Sequence, residues 1–357
     1  MHRCSHQSVV KNSLFFEVNI SHNAFLILYF VCAAISHVHT ICIYIRKARP
    51  LSIGIVGFGR FGQFMAKSFA KHGRVIGSSR GDYTHIADEK SVKFIPFSDM
   101  ESLIVDEDLD VIVLAVSIVS FEDTVKLLVP YLQKRIHMKG ADSCPLIVDV
   151  ASVKEHPRNI LLEHLPEECD ICCTHPMFGP DSAASGWNGL TFVYEKTRIN
   201  KVVCDSGDGY EDDCDASIEG MDRVERFLSI WEEEGCRMVP MLCRDHDTYA
   251  ANSQFITHLV GRILGAQGLS STPIDTKGFE SVLKLIENTN ADSFDLFYGL
   301  YKNNRNSGYT IGSLRGALDD VVGELLQRDG VVGVFNNGNR RNVNQPQLDE
   351  SLHNANS

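Results

Sequence analysis

Positive charge is scarce in this 357-residue chain: 34 lysines and arginines stand against 46 aspartates and glutamates, a formal net charge of −12. A duplex nucleic-acid binder needs clustered cations to neutralise phosphates, so no nucleic-acid partner is expected, and an anionic ligand must be held by local donors. Metal-site signatures are missing too. No HExxH and no paired C-x-x-C spacing occurs, so no metal is expected. The 11 cysteines are odd in number and follow no regular framework, and Cys172 and Cys173 are adjacent in an apolar run. That argues for buried, reduced thiols in a reducing compartment and against a disulfide scaffold. Cys169 and Cys172 form one C-x-x-C, but the helix signal that a redox site of this kind requires does not follow it.

What is present is apolar residue enough for about two domains: 44% of the chain is hydrophobic. The first 50 residues stand apart from the fold. "AFLILYFVCAAISHVHTICIYI" is long and apolar enough to enter a membrane, is interrupted by His37 and His39, and is followed at once by "RKAR". It reads as a cleaved targeting signal with Cys32-Ala33-Ala34 at the cleavage site, as a retained anchor or as a misassigned start; removal or misassignment is favoured, and membrane contact follows only if the segment is retained.

From Leu51 short apolar runs ("LSIGIVGF", "RVIGSS", "DVIVLAVS", "PLIVDVAS", "CDICCTH") alternate with the amphipathic stretches "RFGQFMAKSFAKHG" and "FEDTVKLLVPYLQKR". This is the pattern of an α/β, Rossmann-like doubly wound sheet over residues 51–244. A further strand pair, "LTFVYE" and "CRMVPM", flanks an acidic insertion at about 200–221 that is too poor in large apolar residues to stay ordered. Strand signals stop after Met241. "RDHDTYAANSQFITHLVGRILGAQG", with Asp245 or Asp247 as its cap, and "KGFESVLKLIENTNADSFDLFYGLYKNN" read as long helices, so a smaller all-helical substrate and dimerisation domain is expected over 245–332. The Asn-rich, aperiodic tail at 333–357 is expected to be disordered.

"IGIVGFGRFGQFMAK" places Gly57, Gly59 and Gly62 directly after a strand and at the opening of a helix. Gly57 permits the tight turn, Gly59 lets backbone approach a pyrophosphate, and Gly62 lets the helix lie close on the strand. Phe58, Arg60 and Phe61, interleaved with these glycines, and Ser117, at the end of the "DVIVLAVS" run, complete the candidate cofactor-binding set. The second strand ends "GSSRGDY", where an NAD enzyme would carry an acidic residue for the ribose 2′-hydroxyl. Ser79 and Arg80 instead offer a hydroxyl and a guanidinium to a 2′-phosphate, and Asp82 lies too far along, so the expected cofactor is NADP.

"THPMFGP" sets His175 at the end of the "CDICC" run, the sheet edge where open α/β folds bind ligands. A histidine with a near-neutral pKa suits a general base that takes a hydroxyl proton as hydride leaves. The plainer alternative is a His-Pro turn that ends a strand. Ser152 and Lys154, ending "DVASVK", should reach the same crevice, and Gln254 and His258, four residues apart, share one helix face.

Together with these, "VDVASVKEHPRNILLEHLPEECDICCTHPMFGPDS", "GWNGLTFVY", "SQFITHLVGR", "STPIDTKGFE" and "ENTNADSFDLFYGL" resemble the arogenate dehydrogenases of plants and algae, relatives of the prephenate dehydrogenases, from about Leu51 to about Arg328. The resemblance implies NADP-dependent oxidative decarboxylation of arogenate to tyrosine, with His175 as base and Ser152 beside it. It also implies Gln254 and Thr276 as substrate contacts, Asp292 as a position linked to substrate choice, a homodimer, and the plastid stroma, with the cytoplasm as alternative. There are departures. "TKGFESVL" carries Lys277 where bacterial relatives have a carboxylate-binding arginine, the acidic insertion is long, and the N-terminus is not a typical plastid peptide. A prephenate dehydrogenase making 4-hydroxyphenylpyruvate, and a catalytically silent NADP sensor, are the competing readings.

Overall fold

The computed structural model describes residues 49–199 and 218–329. The tail, nearly all of the N-terminal segment and most of the acidic insertion therefore lie outside the described residues. Among those described, eight strands form one sheet in the order β3-β2-β1-β4-β5-β6-β7-β8. They are β1 (Leu51–Val56), β2 (Gly73–Ser79), β3 (Lys93–Pro96), β4 (Val111–Leu114), β5 (Leu146–Asp149), β6 (Ile171–Pro176), β7 (Thr191–Arg198) and β8 (Arg237–Pro240). The first six are parallel; β7 runs antiparallel to β6, and β8 runs parallel to β7. Every residue of β1, β4 and β5 is buried, as strands covered on both faces require, Ser52 and Asp149 being the polar exceptions in otherwise apolar runs. β3, only partly buried, has no clear apolar run and no counterpart among the strands expected from the sequence.

Four helices connect the sheet: α1 (Arg60–Phe69), α2 (Thr84–Glu89), α3 (Phe121–Lys139) and α4 (Glu155–His164). A fifth, α5 (Ile218–Glu233), begins within the stretch read as insertion and packs Phe227 and Trp231 into the same core as Phe69 of α1, with the Trp231 ring centroid 4.1 Å from that of Phe192 and 4.6 Å from that of Trp187. Because the chain reverses its winding between β1 and β4, the carboxyl ends of these two strands bound the crevice where such sheets take ligands.

The cysteine expectation is corrected in part. Cys144 and Cys169 are joined in a disulfide with their Cα atoms 5.5 Å apart. Each stands just ahead of a strand, Cys144 before β5 and Cys169 before β6, and the parallel pairing of these strands brings their first residues side by side. Cys169 thus pairs outside its C-x-x-C, whereas Cys172, Cys173, Cys236 and Cys243 are buried thiols.

Beyond β8 the described chain is helical. α6 (Cys243–Ala250) and α7 (Ile256–Ala266) run on through a π-helical turn, Ala251–Phe255, followed by α8 (Lys277–Ala291), α9 (Phe294–Lys302) and α10 (Ser307–Arg328). Two expectations fail here. α6 starts after Leu242, so neither Asp245 nor Asp247 is its cap. The second long helix breaks at Asp292, where Ser293 takes an extended conformation and its side chain accepts from Leu296 N to begin a new helix. Phe255, Leu300 and Val153 form a small core that fixes these helices to the loops after β4 and β5.

Candidate active site

The cradle after β1 is built from backbone. Gly57 has φ +103°, and its N–H donates to Ser78 O at 2.8 Å; a Cβ there would lie 2.4 Å from Ala115 O. A Cβ on Gly62 would lie 2.1 Å from Gly57 O, so only glycine lets α1 sit this close to β1. Gly59, at the N-cap of α1, faces open space. The helix N-terminus, that open approach and Ser78 Oγ, buried without a partner beside it, fit a dinucleotide pyrophosphate. Arg80 is exposed with no hydrogen bond among the described residues, while Asp82 is occupied, accepting Thr84 N at 2.9 Å and Thr84 Oγ1 at 2.6 Å. These contacts hold its carboxyl below the usual range. Ser79 is half-buried beside Arg80, and Ser117 is exposed at the other lip, its hydroxyl 3.0 Å from that of Ser120.

Not every cradle residue faces a ligand. The Phe58 ring is fully buried against Tyr83 and Phe94, in space opened by Gly77, whose Cβ would lie 2.5 Å from it; only the Phe58 backbone lines the loop. Phe61 stacks on Phe64 at 6.0 Å, and Arg60 pairs with Asp181 at 2.8 Å on the surface.

His175 sits in β6, opposite Val193 of β7 and almost fully buried. Its Nδ1 is 2.8 Å from Nε2 of His246, and no hydrogen bond reaches its Nε2 among the described residues. Burial, then His246 and Lys154, hold its pKa well below the ordinary histidine value, so the near-neutral expectation is corrected: His175 is an uncharged imidazole. A cleft of about 380 Å³ adjoins His246 at the β7–β8 edge, lined by Met177, Thr191, Arg237, His246, Tyr249 and Ser253 and by no residue of the cradle.

Lys154 does not reach the crevice. Its ammonium is buried beneath His175, paired with Asp149 and donating to Thr174 O at 2.5 Å. Burial alone would lower its pKa, but Asp149, with Cys173 and Cys243 adding to it, raises it overall, keeping the charge in place. The chain turns into α4 directly after Val153, and the Lys154 side chain is taken up by Asp149 at the end of β5 and Thr174 O of β6. Ser152, half-buried in the loop after β5, makes no hydrogen bond among the described residues.

On the helical side, Gln254 lies in the π-helical turn, a distortion frequent at functional sites. Gln254 Oε1, His258 Nδ1 and Arg262 Nε are all buried without partners, a row at every fourth residue. Native structures leave few such atoms unsatisfied, which makes this row a candidate place for a polar ligand. Burial lowers the pKa of His258, which Asp292 raises and Arg262 lowers further. Asp292 Oδ2 stands 3.8 Å from His258 Nδ1 with its carboxylate half-exposed, and Asp292 O accepts from Arg262 Nη2 at 2.7 Å. Thr276 stands apart: its exposed hydroxyl caps α8, accepting from Phe279 N at 3.2 Å. Lys277 is exposed and pairs with Glu280 at 2.7 Å. Sequence reasoning missed His246, Asp247 and Arg262. For His246 and Arg262 the signal was a spacing, since 246, 254, 258 and 262 are polar positions at multiples of four along one helical stretch, and Asp247 falls outside it.

A glycine cradle at the switch point and an uncharged histidine at the same sheet edge define a dinucleotide-dependent oxidoreductase, and the family model described as NADP oxidoreductase, coenzyme F420-dependent, matches residues 52–137. The amino-terminal part is thus an NADP-type oxidoreductase domain; the model for a TYRAAT1-like C-terminal domain matches 263–333. The chain belongs to the arogenate dehydrogenase family. It is 42% identical over 284 residues to Arogenate dehydrogenase 2, chloroplastic, of Arabidopsis thaliana, covering 79% of this chain and 72% of that one. To Arogenate dehydrogenase 1, chloroplastic, of the same plant it is 46% identical over 285 residues, covering 80% of this chain but only 40% of the relative. The crystal structure of prephenate dehydrogenase from A. aeolicus with hydroxyphenyl propionate and NAD+ matches with a TM-score of 0.57 over 78% of this chain and 92% of that one. At 17% identity that likeness shows the fold alone.

Proposed function

We propose that the protein oxidises and decarboxylates arogenate to tyrosine with NADP. The backbone at Gly57, Gly59 and Gly62 holds the pyrophosphate, and Ser79 and Arg80 hold the 2′-phosphate. When bound, NADP supplies the hydride acceptor. The Nε2 of His175, which no other side chain among the described residues occupies, carries this reading and accepts the proton of the ring C4 hydroxyl as the C4 hydride departs. The ring carboxylate then leaves as CO2, and the electron pair of the broken bond completes the aromatic ring. Aromatisation makes the step effectively irreversible, so the residues around it have mainly to orient the reactants. Gln254 and His258 face the substrate, with Ser152 beside the reacting hydroxyl. Arg262, whose Nε has no partner, is the cation offered to a substrate carboxylate.

Asp292 supports arogenate over prephenate. Arogenate carries an α-ammonium where prephenate has a keto group. A carboxylate near that atom gains a charge-assisted hydrogen bond with the first and faces a carbonyl oxygen with the second. The exposed apolar side chains of Phe294, Tyr298 and Tyr301 on α9 and Leu318, Val321 and Leu325 on α10 support a homodimer through the helical region. Both plant relatives are chloroplastic by name, which supports a plastid protein, acting in the stroma. The test is NADPH formation with arogenate and prephenate side by side: faster reduction with arogenate is expected, and turnover of neither substrate would leave the silent-sensor reading.

A further inference from the structure

His175 is the first member of a buried chain of three side chains. Its Nδ1 meets His246 Nε2 at 2.8 Å, and His246 Nδ1 meets Asp247 Oδ1 at 2.9 Å. Asp247 is anchored in turn: Oδ1 accepts Lys154 N at 2.8 Å and Oδ2 accepts Glu155 N at 2.9 Å, which caps the start of α4. All three side chains are almost wholly buried.

The anchored carboxylate sets the direction of the chain. A carboxylate only accepts, so His246 Nδ1 carries the hydrogen. With one N–H on its ring, His246 presents a bare Nε2, which accepts. The facing Nδ1 of His175 must then be the donor, which leaves His175 Nε2 bare. We infer that His246, oriented by Asp247, is a positioning residue: it holds His175 in the tautomer that presents an unprotonated Nε2 to the substrate hydroxyl. The inference rests on the reading of His175 as the base. The same arrangement serves after proton transfer, because the cation formed on His175 faces the Asp247 carboxylate through His246, while the buried Lys154 ammonium close by opposes that cation and makes the compensation necessary.

The position is also sterically defined. His246 lies one turn into α6, and its ring meets that of His175 at 64° with centroids 5.0 Å apart, so the contact is made by the nitrogens and not by stacking.

Two substitutions separate positioning from packing. His246→Gln keeps an acceptor, because the amide oxygen reaches the place of Nε2; His246→Leu keeps the bulk and removes the acceptor. His246→Leu should lower kcat with arogenate on the order of 10²-fold with KM for arogenate nearly unchanged, since an orienting partner acts on the chemical step. His246→Gln should recover most of that loss, and both should bind NADP as the parent protein does. If the leucine variant fails to fold, His246→Asn, whose amide is too short to reach His175, takes its place. Equal activity of the acceptor-bearing and acceptor-free variants, whether both high or both low, overturns the inference. The base reading is tested separately by His175→Asn: a normal rate there removes both ideas, whereas an inactive His175→Asn beside fully active His246 variants removes only this one.

Discussion

The two halves of the site are made in opposite ways. The cradle after β1 is backbone, open to solvent at Gly59, and depends on what is missing from three residues. The histidine side is built from buried side chains and depends on partners brought from 71 and 93 residues away. A backbone cradle tolerates sequence change between its glycines but no added carbon at them. A buried polar chain tolerates changes of shape poorly and unpaired charge least. Damage to the first should therefore appear as lost cofactor affinity and damage to the second as lost turnover.

The sharpest test of that division is His175→Asn. Turnover should fall on the order of 10²–10⁴-fold, the usual contribution of a positioned base, while a NADP binding titration stays at the parent value. Weakened NADP binding would join the two regions that the comparison separates. Next in size is Asp292→Asn, which keeps shape and removes charge. Loss of one charge-assisted hydrogen bond, about 1.5–3 kcal/mol, should shift the arogenate-to-prephenate ratio of kcat/KM toward prephenate by roughly 10–100-fold; an unchanged ratio would leave Asp292 only as the link between α8 and α9.

On the cofactor side, Ser79→Asp should place a negative charge against the 2′-phosphate and an acceptor for a 2′-hydroxyl, moving the NADP-to-NAD preference toward NAD by roughly tenfold, about 1.4 kcal/mol. Unaltered preference would place the 2′-phosphate elsewhere. The glycine substitutions differ in kind. Gly62→Ala forces a Cβ onto Gly57 O and should cost about 1–3 kcal/mol of stability, read as a lower Tm. Gly59→Ala meets nothing in the protein, so Tm should hold while NADP binding weakens. A lower Tm in both would mean that Gly59 serves the fold and not the ligand.

This contrast also explains what could be read from the residues in order. Gly57 and Gly62 were legible because their requirement is local: one needs a positive φ, and the other touches a carbonyl five residues away. The runs that became β1, β4 and β5 were legible because burial on both faces makes them almost wholly apolar, the exceptions being the buried Ser52 and Asp149. Phe58 misled because its ring turns inward into space that Gly77 provides from the neighbouring strand, a fact of packing that spacing does not carry. Lys154 misled similarly, its partner Thr174 being 20 residues away. Asp247 read as the cap of its own helix and instead caps α4 from 93 residues along the chain. The apolar spacing of "ENTNADSFDLF" continues through Asp292, so the break there is set by the Ser293 cap and not by any loss of pattern.

The central claim is that an uncharged, buried His175 takes the hydroxyl proton, and the pH dependence of kcat/KM for arogenate tests it most directly. The base works only when unprotonated. Because burial, His246 and Lys154 hold its pKa well below 6.5, activity should persist as pH falls through 6.5 and be lost only at more acid pH, with that acid limb absent from the residual rate of His175→Asn. An acid limb centred at or above 6.5, or one that survives in His175→Asn, would contradict the account.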